Sequence, residues 1–284
     1  MNVQAKIAKP KSTPVKSASV PAKAKSAGDR FLKTKETADV LHLLKATTSI
    51  ELKVTIPFDN RKILRDIGFD PVDAEPRQVY FFDTPDLQLN QAGLIVRARR
   101  SPGGKGDTVV KMRPVHPPMV DPKLFGNKLF KVEVDVLHGG YVCSASAKGK
   151  CSAKDVYDVT EAKQPVKSIF NEEQREFFRS NAPPFLKMSR LVALGPVFML
   201  RLKTQPDAFD REMTVELWLY NDGTRTLELS TKGTPDEAFD LGVKFRDFLG
   251  KVKLMREAEA ATKTSTALKL LTQEGSKSGR PIIV

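Results

Sequence analysis

The stretch from Leu94 to Arg113, LIVRARRSPGGKGDTVVKMR, constrains the fold most, because it alternates charged and apolar residues on both sides of a turn. Successive side chains of a β-strand point to opposite faces. Arg97 and Arg99 therefore share one face with Ile95, while Leu94, Val96 and Ala98 take the other. Lys111 and Arg113 alternate in the same way with Val110 and Met112. Between the two runs, Ser101 to Asp107 holds three glycines and a proline, which supply turn conformations and end both ladders. Its Gly-Gly-Lys-Gly has neither the Gly-Lys-Ser/Thr ending nor the following helix of a phosphate loop.

The pattern recurs along the chain. Ser49, Glu51, Lys53 and Thr55 alternate with Ile50, Leu52, Val54 and Ile56, and Arg77 to Thr84 (RQVYFFDT) is a second strand ended by Pro85. Lys131, Glu133 and Asp135 alternate with Phe130, Val132, Val134 and Val136; Arg201 and Lys203 alternate with Phe198, Leu200 and Leu202 in a strand from Pro196. MTVELWLY and RTLELSTK form a hairpin across Asn221-Asp222-Gly223, with Glu216, Glu228, Ser230 and Lys232 opposite Val215, Leu217, Leu219, Leu227 and Leu229. Short helices are predicted from Asp59 to Ile67 and from Asn171, and longer ones after Thr234 and up to about Leu271; Asn171 with Gln174 and Thr234 with Glu237 have capping-box spacing. Residues 139–168 carry little periodicity and are read as an excursion. About eight strands result, most apolar on one side and ionisable on the other. Two architectures fit: a sandwich with its charges in water, or a closed barrel with charges inside, where they must be paired or hold an ion and a ligand.

Lys and Arg total 47 against 34 Asp and Glu, a formal charge of +13, so a polyanionic partner is indicated: nucleic acid, an anionic membrane or a phosphate-rich small molecule. Residues 1–30 are expected to be a disordered basic tail, since the first 28 hold six lysines, no acid and few large apolar groups. Such a tail could hold nucleic acid or polyphosphate by counterion release, or serve only as a solubilising extension. The folded domain is expected over residues 46–272, with 273–284 a loose end. Cys143 and Cys151 are the only cysteines, too few for a disulfide framework or a zinc set. No apolar run approaches the roughly 18 residues of a membrane span, and a cytoplasmic location is expected.

Taken in order, the strands resemble the CYTH domains, or triphosphate tunnel metalloenzymes, which include inorganic triphosphatases, thiamine triphosphatases and class IV adenylate cyclases. Ser49-Ile-Glu51-Leu-Lys53 sits in the register of the family's opening Glu-x-Glu-x-Lys, and Tyr80-Phe-Phe-Asp-Thr84 with Arg97-Ala-Arg99 resembles its Tyr-Phe-Asp-Thr and Leu-Arg-x-Arg segments. Lys111 falls at the strand-four lysine, Lys131-x-Glu133-x-Asp135 is similar to Arg-x-Glu-x-Glu, and Leu227-Glu-Leu-Ser-Thr-Lys-Gly233 resembles the late Glu-x-Glu strand. The match runs from about residue 48 to 270.

The resemblance implies an α+β fold, an eight-stranded antiparallel barrel forming a tunnel with covering helices. It implies a triphosphate substrate cradled by Lys53, Arg97, Arg99, Lys111, Arg113, Arg201, Lys203 and Lys232, arginine binding by bidentate bonds and lysine as point charges. It implies Mg2+ or Mn2+ on Glu51, Glu133, Asp135, Glu216 and Glu228, with Glu51, Lys53 and Glu133 as catalytic residues. The activity so implied is metal-dependent hydrolysis of inorganic triphosphate or a small organic triphosphate. A non-catalytic polyphosphate- or nucleotide-binding module and an adenylate cyclase of the class IV type are the alternatives. Two positions depart from the pattern: Ser49 replaces the first Glu of the opening motif and Ser230 the second carboxylate of the last strand, which removes two anionic ligands.

Overall fold

The computed structural model describes residues 44, 47–58, 61–116, 120–121, 123–124, 127–137, 140–254 and 263–278. The predicted N-terminal tail, the start of the first helix at Asp59, and His42 and His138 lie outside them.

The strands are β1 (Ser49–Pro57), β2 (Glu75–Asp83), β3 (Leu94–Ser101), β4 (Lys105–Met112), β5 (Phe130–Leu137), β6 (Gly140–Ser152), β7 (Val192–Thr204), β8 (Met213–Leu219) and β9 (Arg225–Gly233). They close into one barrel in the order β1-β5-β6-β4-β3-β2-β7-β8-β9. The closed barrel is the second of the two architectures compatible with the alternation. It has nine strands, not the eight expected, and is not antiparallel throughout: β1 and β5 pair in parallel. A closed ring with an odd number of strands must contain at least one parallel neighbour pair, because up and down cannot alternate all the way round.

The additional strand is β6, inside the stretch read as an excursion. Its outward positions are Cys143, Ala145, Ala147 and Gly149, and its inward ones Ser144, Ser146 and Lys148. The period of two is there, but small residues on the core side give it little hydrophobic amplitude. Their smallness has a cause in packing: a Cβ on Gly149 would lie 2.4 Å from Gln174 Oε1 and 2.7 Å from Thr108 Oγ1. Strand β7 also starts four residues earlier than predicted, at Val192 instead of Pro196.

The barrel's outer face supplies two apolar layers. Under α1 (Arg61–Asp66) and α5 (Ala238–Lys251), Ile50, Leu52, Val54, Val215, Leu217, Leu227 and Leu229 pack against Ile63, Leu241, Phe245 and Phe248. Under α3 (Ala153–Thr160) and α4 (Glu172–Asn181), Leu94, Val96, Ala98, Val110, Val132 and Ala145 meet Val156, Val159, Phe177 and Phe178. The capping box of α4 ties helix to barrel: Gln174, fully buried, accepts from Asn171 N–H and Thr108 Oγ1 and donates to Ala147 O. A short helix α2 (Gln88–Gln91) follows β2, and Asp83 holds it, its carboxylate accepting from the Thr84, Leu89 and Asn90 amides at 2.7–2.9 Å.

The third apolar layer is inside the barrel. Val79, Phe81, Val197, Met199 and Trp218 point into the lumen and bury Ala267 and Leu268 of α6 (Lys263–Ser278), so this helix fills that part of the lumen. It continues to Ser278, into the segment expected to be a loose end. Among the described residues no helix is long and apolar enough to cross a membrane.

Candidate functional site

The rest of the lumen is a charged cavity of about 360 Å³. The strand period aims every second side chain inward, and among the described residues nine cations line the space against four carboxylates: Lys53, Arg77, Arg97, Arg99, Lys111, Lys148, Arg201, Lys232 and Lys263 against Glu51, Glu133, Glu216 and Glu228. The sequence-predicted residues Glu51, Lys53, Arg97, Arg99, Lys111, Glu133, Arg201, Glu216, Glu228 and Lys232 are thereby brought together. Asp135 lies behind the wall with no exposed side-chain area, and Arg113 reaches it from outside the cavity lining. Lys203 is not brought to the site: its half-exposed ammonium pairs with Glu212 at 2.6 Å.

Three lumen residues escaped sequence reasoning. Lys148 was hidden in the unread strand β6, although its alternation with Ala147 and Gly149 was visible. Arg77 lay on a predicted strand whose aromatic content gave it no charged pattern. Lys263 comes from α6, and a helix period carries no sign that its first residue will meet a barrel lumen.

The carboxylates are held by ammonium groups. Glu51 and Asp135 are direct neighbours across the parallel β1–β5 pairing, and Lys53 Nζ lies 2.8 Å from Glu51 and 3.0 Å from Asp135. Lys111 Nζ at 3.3 Å and Arg113 at 3.7 Å complete the shell of Asp135. Lys232 Nζ lies 2.8 Å from Glu133 and 3.7 Å from Glu51. Ser49 Oγ, where the family pattern has a carboxylate, donates to Glu133 Oε1 at 3.4 Å. Glu216 and Glu228 are direct neighbours across β8 and β9, and Lys263 Nζ donates to both, at 2.6 Å in the case of Glu228. Opposed like charges destabilise a sheet, so each bridging lysine removes a repulsion the strand register creates.

The titration of these groups follows from burial set against pairing. Burial raises the Glu216 carboxyl, but the Lys263 ammonium together with Arg99 and Arg97 outweighs it and brings the carboxyl down to about 2. Glu133 moves the same way: burial opposes, and Lys232 and then Lys148 hold it below the usual carboxylate range. The cations split into two kinds. Arg99 is raised, because Asp107, with Glu216 and Glu75, overcomes its desolvation. Arg97 is lowered to about 10 by burial and then by Arg99, and Lys148 is lowered chiefly by burial. Among the described residues neither Arg97 nor Lys148 has an ion-pair partner, and the buried hydroxyl of the neighbouring Ser146 has no hydrogen-bond partner.

Five carboxylates suit Mg2+ or Mn2+ by donor type, but their arrangement does not fit such an ion. Each is held by a lysine that an ion would have to displace, and among the described residues no three acidic, histidine or cysteine side chains converge.

No protein-family model matches the sequence, and no curated protein matches it. Solved structures do share its fold. A candidate adenylate cyclase from Bacillus halodurans aligns with a TM-score of 0.54 at 14% identity, over 77% of this chain and 98% of that one. A candidate adenylyl cyclase from Hippeastrum with a dominant triphosphatase activity gives 0.55 at 14% identity, over 76% of this chain and 94% of that one. At such identity the likeness is one of fold. The closed barrel with its charges turned inward is thus the fold of these two solved structures, and it is the architecture that the resemblance to the CYTH motifs implied.

Proposed function

We propose that the cavity binds the triphosphate group of inorganic triphosphate or of a small organic triphosphate and hydrolyses it. The observation that carries this reading is the pair of unpartnered lumen cations, Arg97 and Lys148, in a cavity with more cations than carboxylates. A buried charge without a partner is costly, and a bound polyanion removes that cost. Arg97, Lys148, Lys111 and Arg201 cradle the phosphoryl oxygens. Asp107 and Asp135 hold Arg99 and Lys53 as fixed walls of the same field. Phosphoryl transfer asks the protein mainly for positioning and charge neutralisation, which a rigid cationic barrel provides. Glu51 and Glu133, beside the half-exposed Lys232, are the carboxylates that orient the attacking water. Similarity to a triphosphatase of the same fold supports this reading.

The test is release of phosphate from tripolyphosphate, ATP and thiamine triphosphate by the purified protein, with Mg2+, with Mn2+ and with chelator. No turnover in any condition overturns hydrolysis. Binding without turnover identifies a non-catalytic triphosphate-binding module, which the lysine-bound carboxylates favour. Cyclic AMP and pyrophosphate from ATP identify a cyclase, as the names of both solved relatives suggest.

A further inference from the structure

Lys263 sits where two opposed carboxylates would otherwise call for a divalent cation. Glu216 and Glu228 face each other across β8 and β9, and the Lys263 ammonium donates to both. It is only 15% exposed and lies 5.2 Å from the centre of the Trp218 ring, whose indole N–H donates to Glu216 at 3.2 Å. Its helix is anchored one turn further on, where Ala267 and Leu268 are buried among Phe81, Met199 and Trp218. For a metal ion to take the pair, this ammonium would have to leave carboxylates that are themselves almost wholly buried. Breaking one partner out of a buried pair leaves an uncompensated charge. The strand lost a carboxylate relative to the family pattern at Ser230, so the site has one fewer anionic ligand with which to attract a dication in compensation.

We propose that Lys263 is a built-in substitute for a divalent cation at the Glu216–Glu228 pair, and that triphosphate binding in this cavity needs no metal ion there. The second clause rests on the function proposed above; the first does not. A tethered ammonium supplies one positive charge at no cost in binding entropy, and α6 delivers it from the apolar end of the lumen.

Mn2+ titrated into the full-length protein, with the free ion read by electron paramagnetic resonance, tests the first clause. The wild type should show no saturable site involving the pair. Lys263→Met, which keeps the stem and removes the charge, should gain one saturable site, and Lys263→Met with Glu228→Gln should lose it again. Overturning results are saturable binding by the wild type that Glu228→Gln removes, or no gain in Lys263→Met. Should Lys263→Met not fold, the wild type against Glu228→Gln still decides. The second clause is read from the thermal shift induced by tripolyphosphate. Equal shifts with chelator and with Mg2+ support it, and a shift seen only with Mg2+ overturns it. No shift in either condition overturns the triphosphate reading itself, while the Mn2+ titration continues to decide on Lys263.

Discussion

Arg99 and Asp107 are direct neighbours across β3 and β4, and the guanidinium grips the carboxylate through Nε at 3.0 Å to both oxygens and a terminal nitrogen at 2.8 Å. Arg97, two residues earlier on the same face, is opposite Val109 and has no such partner. One strand thus presents an arginine gripped by a carboxylate and one without an ion pair, and the second is the one open to a ligand.

The first prediction follows from that difference. Arg97→Ala should weaken tripolyphosphate binding by about 1.5–3 kcal/mol, the worth of a charge-assisted bond, and leave the apo protein as stable as before or more so. Lys203→Ala, which breaks only a half-exposed pair with Glu212, should change binding and stability by no more than about 0.5 kcal/mol. Calorimetry on the two variants checks this, and equal effects would contradict the division of roles.

Asp135 is the structural counterpart. Lys53, Lys111 and Arg113 all reach this one fully buried carboxylate, although Lys53 also pairs with Glu51. Asp135→Asn should cost about 3–5 kcal/mol in urea unfolding, because it strands cations in the wall. Lys111→Ala leaves Asp135 two partners and should cost far less while still weakening ligand binding. A loss below about 1 kcal/mol for Asp135→Asn would show that the wall is better hydrated than its burial implies.

Acid should unfold the barrel from within. Glu216 is brought to about 2, and Glu133 and Asp135 are also lowered by their lysines against the effect of burial. A carboxyl depressed in the folded state contributes stability that is complete above its unfolded pKa, about 4.3, and is lost as pH falls toward the folded value. Urea midpoints should therefore hold steady down to about pH 5 and then fall, by at least about 2 kcal/mol in unfolding free energy by about pH 3. A flat profile over that range would mean that the pairs are not formed in solution.

The single tryptophan reports on α6. Trp218 is buried beneath Ala267 and Leu268. Leu268→Asp places a charge in that apolar layer and should undock the helix, shifting Trp218 emission to the red while the far-ultraviolet signal of the strands persists. Unchanged emission would place α6 elsewhere in solution.

The order of the strands and the side of each that carries charge were legible in the sequence, because a period of two is a local property: Ile50 to Ile56 or Leu94 to Arg99 show it without reference to anything distant. Where the amplitude failed, as in Cys143-Ser-Ala-Ser-Ala147, the strand was missed, and with it Lys148 and the parallel closure. Alternation also could not tell a wet face from a lumen, since both put charge opposite apolar residues; the resemblance to the CYTH proteins chose between them, and the closed β9–β1 pairing decided it. Partnership lay further still beyond the sequence. Arg97 and Arg99 read as equals, and it took the register against β4 to give one an aspartate and the other a valine. Lys263 belonged to no charged strand, and only the docking of α6 on lumen side chains brought it to Glu216 and Glu228. Local patterning decides which face a side chain takes; which charges remain free to bind a ligand depends on contacts between residues far apart in the chain, and only the tertiary structure makes them.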